Sequence, residues 1–174
     1  MKKGIIKTFA FMFSAVFLAK VLGLIRNIVF AKFYGTGFEA TAFFTASRIP
    51  LQLLDMSLGA AISSTFIPIF NEYLQKDGKK RAIQFANNFL NVIIVISLAF
   101  TILGIIFAPQ IVSVIAPDLD LQTSALTIEL IKILFPIMLF TAVAYVFVGF
   151  LQSLDEFNIP AIISVVANGI LILY

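Results

Sequence analysis

Four charged side chains lie inside long apolar stretches of this sequence, and their types are suited to binding rather than to bond chemistry. Lys20 and Arg26 interrupt the first stretch, and Arg48 and Asp55 interrupt the second. Ionisable groups inside membrane-spanning segments are rare, and they commonly mark substrate or ion pathways. Three cations against one anion therefore predict a site for an anionic group, with phosphate or diphosphate as the best candidates.

The spacing of these residues predicts that they face one another. At about 100° per residue, Lys20 and Arg26 fall within one arc of about 120° on their helix. Arg48 and Asp55 are seven residues apart and so share a face of theirs. Counted inward from the turn between the two helices, Arg48 lies between Arg26 and Lys20 in depth, and Asp55 lies slightly deeper. We predict a net-positive cavity that opens toward the outer half of the membrane.

A structural role for the same residues stays open. Lys20 and Asp55 are also suited to a buried ion pair, and Arg26 is near enough to the outer boundary to extend its head group into water. Lys32 is interpreted in this way, as a residue that reaches the interface.

The elements that position these charges are predicted from composition. The chain has 174 residues, of which 61% are hydrophobic and 12% charged, against about 45–50% and about 25% in soluble domains. A soluble globule is excluded, because the polar surface is too small to cover it. Long uncharged runs must satisfy their backbone groups internally, which favours an all-α, polytopic transmembrane helical bundle.

Hydropathy and turn residues divide the sequence into five predicted helices, with bends at Pro50 and Pro136. Their ranges are 5–33, 38–70, 82–108, 122–154 and 159–174. The last range gives only about 24 Å of helix and has no polar end. We therefore expect residues 1–174 to be a fragment of a longer transporter-like protein, whose remaining helices would be its partner.

Basic residues also predict orientation. Lys and Arg cluster at the N-terminus and in the loop at 76–81, whereas the loop at 118–120 is acidic, so the N-terminus is expected in the cytoplasm. The net charge of +3 does not form one exposed stripe, which argues against nucleic acid as a partner.

Several chemistries are excluded by missing residue types. The sequence has neither cysteine nor histidine, which removes thiolate nucleophiles, imidazole bases and nearly all zinc or haem sites. It also lacks the glycine-rich motifs that bind nucleotides. We predict that the chain is not an enzyme and uses no metal or cofactor.

A set of short motifs resembles the MurJ (MviN) lipid II flippases of the multidrug/oligosaccharidyl-lipid/polysaccharide exporter superfamily. The resemblance spans nearly the whole chain. The motifs are Lys20 to Arg26, Ala31 to Gly35, Ala42 to Phe44, Ala46, Ile49-Pro50, Gly59-Ala60, Phe66 to Pro68, Ala116-Pro117, Phe135-Pro136 and Phe157 to Pro160.

The resemblance implies a fold of about fourteen helices, of which this chain supplies the first four to five, in a bacterial inner membrane. It implies that cations on the first two helices bind a lipid-linked diphosphate-sugar. Arg26 matches one family arginine, and Lys20 replaces another. Leu54 stands at the usual arginine position of the second helix, and Thr41 stands where the family has an acidic residue.

The leading hypothesis is a flippase that moves an undecaprenyl-diphosphate-linked peptidoglycan precursor outward by alternating access, with membrane lipids as its surroundings. The candidate substrate-binding residues are Lys20, Arg26, Arg48 and Asp55. The alternatives are a polysaccharide-unit or drug exporter of the same superfamily and a non-transporting, truncated membrane fragment.

Overall fold

The computed structural model describes residues 2–35, 37–55 and 61–173, and all regular elements in these ranges are helices. The predicted all-α class is therefore confirmed. The chain divides into two compact units. The first, called the helix pair, combines Met1–Gly35 with Leu154–Tyr174, and the second, called the central bundle, is Thr36–Ser153.

The helix pair is built from α1 and α8, and the central bundle from the helices between them. Within the described ranges the α-helices are α1 Lys2–Tyr34, α2 Phe38–Leu54, α3 Ile67–Lys76, α4 Lys79–Ile106, α5 Ala108–Ile115, α6 Leu121–Leu134, α7 Ile137–Ser153 and α8 Asn158–Leu173, with a π-helical segment at Ile62–Phe66 before α3.

Two of these helices are long and apolar enough to cross a membrane. They are Ala10–Tyr34 within α1 and Lys79–Ile106, which is α4. Leu121–Leu134 and Ile137–Ser153 form a third span if the bent pair is counted as one. These spans, found among the described residues, agree with the predicted membrane bundle.

The second predicted helix differs from the structure at its end. It was expected over 38–70, but regular helix in α2 stops at Leu54 and α3 continues to Lys76; residues 56–60 lie outside the described residues. Hydropathy alone placed the end too early, because polar residues also form helix in water. The carboxylate of Glu72 and the ammonium group of Lys76 are 2.8 Å apart, an i,i+4 pair that supports the last turn of α3.

Glycines end the helices at the turns. Gly35 has φ +67° and donates its N–H to the carbonyl of Ala31, which closes α1, and Gly78 has φ +81° between α3 and α4. Only glycine adopts this left-handed conformation without steric cost, so both turns are specified locally.

The core of the central bundle is aromatic and tightly packed. Phe66 is fully buried, and its ring centroid lies 5.8 Å from that of Phe85 and 4.9 Å from that of Phe89 on α4. Glycines make room for rings nearby: a Cβ added at Gly104 would lie 1.8 Å from Cε1 of Phe135. Gly104 is therefore a notch in α4 that holds the Phe135 ring.

The axes of α6 and α7 meet at an angle of 46°, at the position where Pro136 predicted a bend. Proline has no N–H to donate to the preceding turn. The backbone closes more tightly here, since Met138 donates to the carbonyl of Phe135 at 2.9 Å and Leu139 to that of Pro136 at 3.2 Å. Both bonds span three residues instead of four.

Candidate anion-binding residues

The four predicted site residues are divided between the two units. Lys20 and Arg26 lie on α1 in the helix pair. Arg48 lies on α2, and Asp55 follows directly after it, in the central bundle. Each residue therefore has its neighbours within its own unit, and the shared cavity stays a prediction.

Arg26 is held by two neutral amides. Its Nη1 donates to Oδ1 of Asn168 on α8 at 3.3 Å, and its Nε and Nη2 lie 3.4 and 3.2 Å from Oδ1 of Asn27. The side chain is half-buried. An amide oxygen accepts a hydrogen bond without adding negative charge, so Arg26 is oriented while its positive charge stays uncompensated by these partners.

Asn168 is fixed in its turn by backbone carbonyls. Its Nδ2 donates to the carbonyl of Ser164 at 3.0 Å and to that of Ala19 at 3.4 Å. These two acceptors turn Oδ1 of the amide toward Arg26. A Cβ at Gly23 would lie 3.7 Å from that Oδ1, so the small residue lets α8 bring the amide close to α1. Asn168 thus links the two helices and orients the guanidinium.

Lys20 is exposed, six residues before Arg26 on the same helix. Within the described part of the helix pair, neither cation forms an ion pair with a carboxylate. Lys20 and Arg26 therefore present two positive groups about 9 Å apart along the axis of α1. This spacing is suited to an anion with more than one charged group.

In the central bundle, Arg48 belongs to a polar stripe on α2. The polar residues of this stripe follow one another at spacings of four, three, four and three residues, which places them on one face. They are Thr41, Thr45, Arg48, Gln52 and Asp55. The opposite face is buried and consists mainly of small or branched apolar residues. Those residues are Ala40, Ala42, Ala46, Ile49, Pro50 and Leu54.

Asp55 accepts a hydrogen bond from the hydroxyl group of Tyr145 on α7. This contact joins the end of α2 to α7 and gives the carboxylate a partner within the central bundle. The two sequence interpretations of Asp55, a role in anion binding and an ion pair with Lys20, both stay predictions.

Sequence reasoning missed two features of this region. The helical spacing of Thr41, Thr45 and Gln52 from Arg48, at seven, three and four residues, was readable in the sequence and would have extended the candidate site along α2. Tyr145 was not singled out, although it carries a hydroxyl group in an otherwise apolar helix. Asn168 also bonds across helices, since its Oδ1 accepts from Arg26 and its Nδ2 donates to the carbonyl of Ala19.

The described residues contain no cluster of three or more acidic side chains that could hold a metal ion. The described residues instead offer cations, of which Arg26 is hydrogen-bonded to amides, and neutral polar groups. Such groups bind anions by charge-assisted hydrogen bonds and need no covalent step.

Comparison with protein families identifies one match over most of the chain. The profile of the family described as "Lipid II flippase MurJ" matches residues 30–174. The match includes α2 with Arg48 and Asp55, and it begins after Lys20 and Arg26 on α1.

Curated relatives carry the same description. A "Probable lipid II flippase MurJ" of Buchnera aphidicola subsp. Baizongia pistaciae is 30% identical over 160 residues, 91% of this chain and 31% of its own length. The "Lipid II flippase MurJ" of Thermosipho africanus is 29% identical over 88% of the chain and 32% of its length. A "Probable lipid II flippase MurJ" of Rhizobium meliloti is 31% identical over 97% of this chain and 32% of its own length. The chain therefore spans about a third of these relatives.

Proposed function

Because the chain belongs to the MurJ family of lipid II flippases, we propose that it takes part in moving a lipid-linked diphosphate-sugar across the membrane. The proposed cargo is the undecaprenyl-diphosphate-linked peptidoglycan precursor, lipid II. Its movement requires that the charged head group leave water and cross an apolar layer. Cations inside the membrane lower the free energy of that crossing, and no bond is made or broken.

In this proposal Lys20, Arg26 and Arg48 bind the diphosphate. The observation that carries it is the environment of Arg26, whose guanidinium is half-buried and held by the amide oxygens of Asn27 and Asn168. Charged residues in membrane helices pair with one another or with backbone carbonyls, or they mark a substrate pathway. An arginine oriented by neutral groups keeps its charge for a ligand.

Arg48 contributes a third cation from the exposed face of α2. The neighbouring hydroxyl and amide groups of Thr45 and Gln52 add donors for oxygen atoms of a phosphate or sugar. Asp55 is assigned a supporting role: through Tyr145 it holds the end of the polar stripe against α7.

The proposal includes the location and the orientation of the chain. Residues 1–174 would form part of the N-terminal lobe of a transporter in the bacterial inner membrane. Lys2, Lys3 and Lys7 and the basic loop at 76–81 place the N-terminus on the cytoplasmic side by the positive-inside rule.

Complementation tests the proposed role of Arg26. The gene that encodes this chain is expressed in a bacterium depleted of its own lipid II flippase, with wild type compared with Arg26→Ala, Arg26→Lys and Lys32→Ala. Lys32 is the matched control, because it is a cation on the same helix near its end. Membrane abundance of every variant is measured with an epitope tag.

Arg26→Ala is expected to abolish growth and Arg26→Lys to restore it in part, because lysine keeps the charge but lacks the planar fork of donors. Lys32→Ala is expected to grow like wild type. Normal growth of Arg26→Ala at wild-type abundance would refute the assignment of Arg26 to head-group binding.

A further inference from the structure

A groove between α4 and α7 includes none of the cations discussed above in its lining. It has a volume of about 170 Å³. Its floor includes Val146, which is 4% exposed, and its rim includes Phe147, which is 55% exposed. The lining residues are Ile83, Ala86, Asn87, Leu90, Val146, Phe147 and Phe150. We call this feature the α4/α7 groove.

The walls of the groove are apolar and rigidly supported. Phe150 packs edge-to-face on the buried ring of Phe70, with centroids 5.3 Å apart. Along α4 the lining extends from Ile83 to Leu90, about 10 Å of helix. An apolar groove of this length, with Phe150 packed on the core, fits a flexible hydrocarbon chain.

Two lysines continue the groove at the start of α4. In an α-helix, residues three and four apart share a face, so Lys79 and Lys80 precede Ile83 on the face that lines the groove. Both lysines are exposed at the start of α4. Asn87, the polar member of the lining, lies two turns inward from Lys80. The order along α4 is therefore cationic, then apolar with a single amide.

This order matches the chemistry of an anionic phospholipid. Its phosphate lies at the membrane boundary, its ester groups lie just below, and its acyl chains lie in the hydrocarbon layer. Clustered Lys and Arg residues beside a membrane helix attract anionic lipid head groups. Charge complementarity thus selects a lipid with net negative charge over a zwitterionic one.

We propose that the α4/α7 groove binds one anionic phospholipid, with an acyl chain in the groove and its phosphate at Lys79 and Lys80. The site is independent of the proposed transport function, since it uses none of the cations assigned to the diphosphate. Its expected effect is to retain an anionic lipid beside the central bundle as the surrounding lipids exchange.

Tryptophan fluorescence gives a direct test, because the sequence contains no tryptophan. Phe147→Trp places a reporter in the groove. Phe100→Trp is the matched control, because Phe100 is an equally exposed phenylalanine on α4, at 52%, and it does not line the groove. Each variant of the 174-residue chain is reconstituted in phosphatidylcholine bilayers that contain brominated phosphatidylglycerol as a minor component, or brominated phosphatidylcholine at the same fraction.

Brominated phosphatidylglycerol is expected to quench the reporter at 147 several-fold more strongly than the reporter at 100, whereas brominated phosphatidylcholine is expected to quench both alike. The preference for the anionic lipid is the ratio of quenching by brominated phosphatidylglycerol to quenching by brominated phosphatidylcholine. In the Phe147→Trp background, Lys80→Gln should lower this ratio by about fivefold, as expected for one basic residue near an anionic surface. Lys76→Gln removes one charge from α3 and should leave it nearly unchanged, because Lys76 is paired with Glu72. Ala86→Phe should abolish the preference by filling the groove.

Equal quenching of the two reporters by phosphatidylglycerol would overturn the proposal, and so would a preference that survives Lys80→Gln. Quenching of the 147 reporter by neither lipid would also overturn it, since a protein segment would then cover the groove. Helical circular dichroism and monodisperse elution establish that each variant is folded. If Ala86→Phe fails this control, the comparison of Lys80→Gln with Lys76→Gln decides the question.

Discussion

The helix pair and the central bundle differ in what fills the space between their helices. Between α1 and α8, an amide, a glycine and a guanidinium meet, and Arg26 is linked to Asn168 by hydrogen bonds. Between α4, α6 and α7, aromatic rings fill glycine notches, as Phe135 does at Gly104. Polar contacts of the first kind are adjustable, whereas close packing of the second kind tolerates little change.

This difference suggests that the residues that stabilise the fold and the residues proposed to bind the substrate are concentrated in different units. The central bundle contains the apolar core, which includes Phe66, Phe70 and Phe135. The helix pair carries two of the three proposed binding cations. Substitutions in the first region are expected to change the free energy of unfolding most, and substitutions in the second to change transport most.

The largest stability effect is expected at Gly104. Gly104→Ala places a methyl group where the buried ring of Phe135 lies, and overpacking of this kind costs about 3 kcal/mol. The matched change in the helix pair is Gly169→Ala, where a Cβ meets nothing within 4 Å. That substitution should be neutral or stabilising by up to about 1 kcal/mol. Unfolding in mixed micelles measures both, and similar losses in the two variants would contradict the comparison.

A smaller effect is expected at the start of α6 in the central bundle. Asp120 caps this helix, because its carboxylate accepts hydrogen bonds from the backbone N–H groups of Gln122 and Thr123 and from the hydroxyl of Thr123. Asp120→Ala should lower the melting temperature by a few degrees, whereas Asp120→Asn should preserve most of the cap. Thermal melts followed by circular dichroism distinguish the two variants.

The same cap predicts a dependence on pH. The hydrogen bond from the Thr123 side chain, and then that from its backbone, hold the pKa of Asp120 below the ordinary 3.8. A carboxylate whose pKa is lowered by folding contributes its stability above the ordinary value and loses it as the pH falls through the folded one. The wild-type advantage over Asp120→Ala should be constant near neutrality and disappear in acid below about pH 4. An advantage that persists in strong acid would refute this cause.

The helix pair should respond weakly in stability and strongly in function. Asn168→Leu removes the hydrogen bond to Arg26, and such bonds between membrane helices average about 0.6 kcal/mol. A double-mutant cycle with Arg26→Leu should give a coupling of that size, and Asn168→Leu alone should slow complementation. A zero coupling would show that Asn168 does not orient Arg26.

The smallest effect is expected at the exposed ion pair of α3. The hydrogen bond and the charge of Lys76 lower the pKa of Glu72, and those of Glu72 raise the pKa of Lys76. The ion pair is therefore intact at pH values above 4.5 and below 10.5, which are the ordinary pKa values of the two side chains. Because both side chains are well exposed, Lys76→Gln should leave the melting temperature unchanged between these limits. A clear shift in the melting temperature would contradict this expectation and show that Lys76 stabilises more than the last turn of α3.

The sequence was informative where polarity contrasts with its surroundings. Lys20, Arg26 and Arg48 are conspicuous in apolar stretches, and Pro136 marks the bend because it removes a backbone donor. Contacts between distant residues were less readable. The partner of Arg26 is 142 positions away in Asn168, and nothing local to either residue selects the other.

The twenty phenylalanines illustrate the same limit. Phe135 is 1% exposed, whereas Phe140 is 72% exposed. Both lie in the uniformly apolar run 133–140, so the periodic contrast that identifies the inner face of a soluble helix is missing. Tertiary packing alone distinguishes the core rings from those on the surface.

The location of Phe135 couples the bend in the chain to the neighbouring helix. This residue ends α6 immediately before Pro136, and its ring occupies the notch at Gly104. A change in the angle between α6 and α7 must therefore withdraw or rotate that ring. The packing of this ring against Gly104 therefore restrains the bend between α6 and α7, and the space that α4 leaves at Gly104 determines how strongly the bend is restrained.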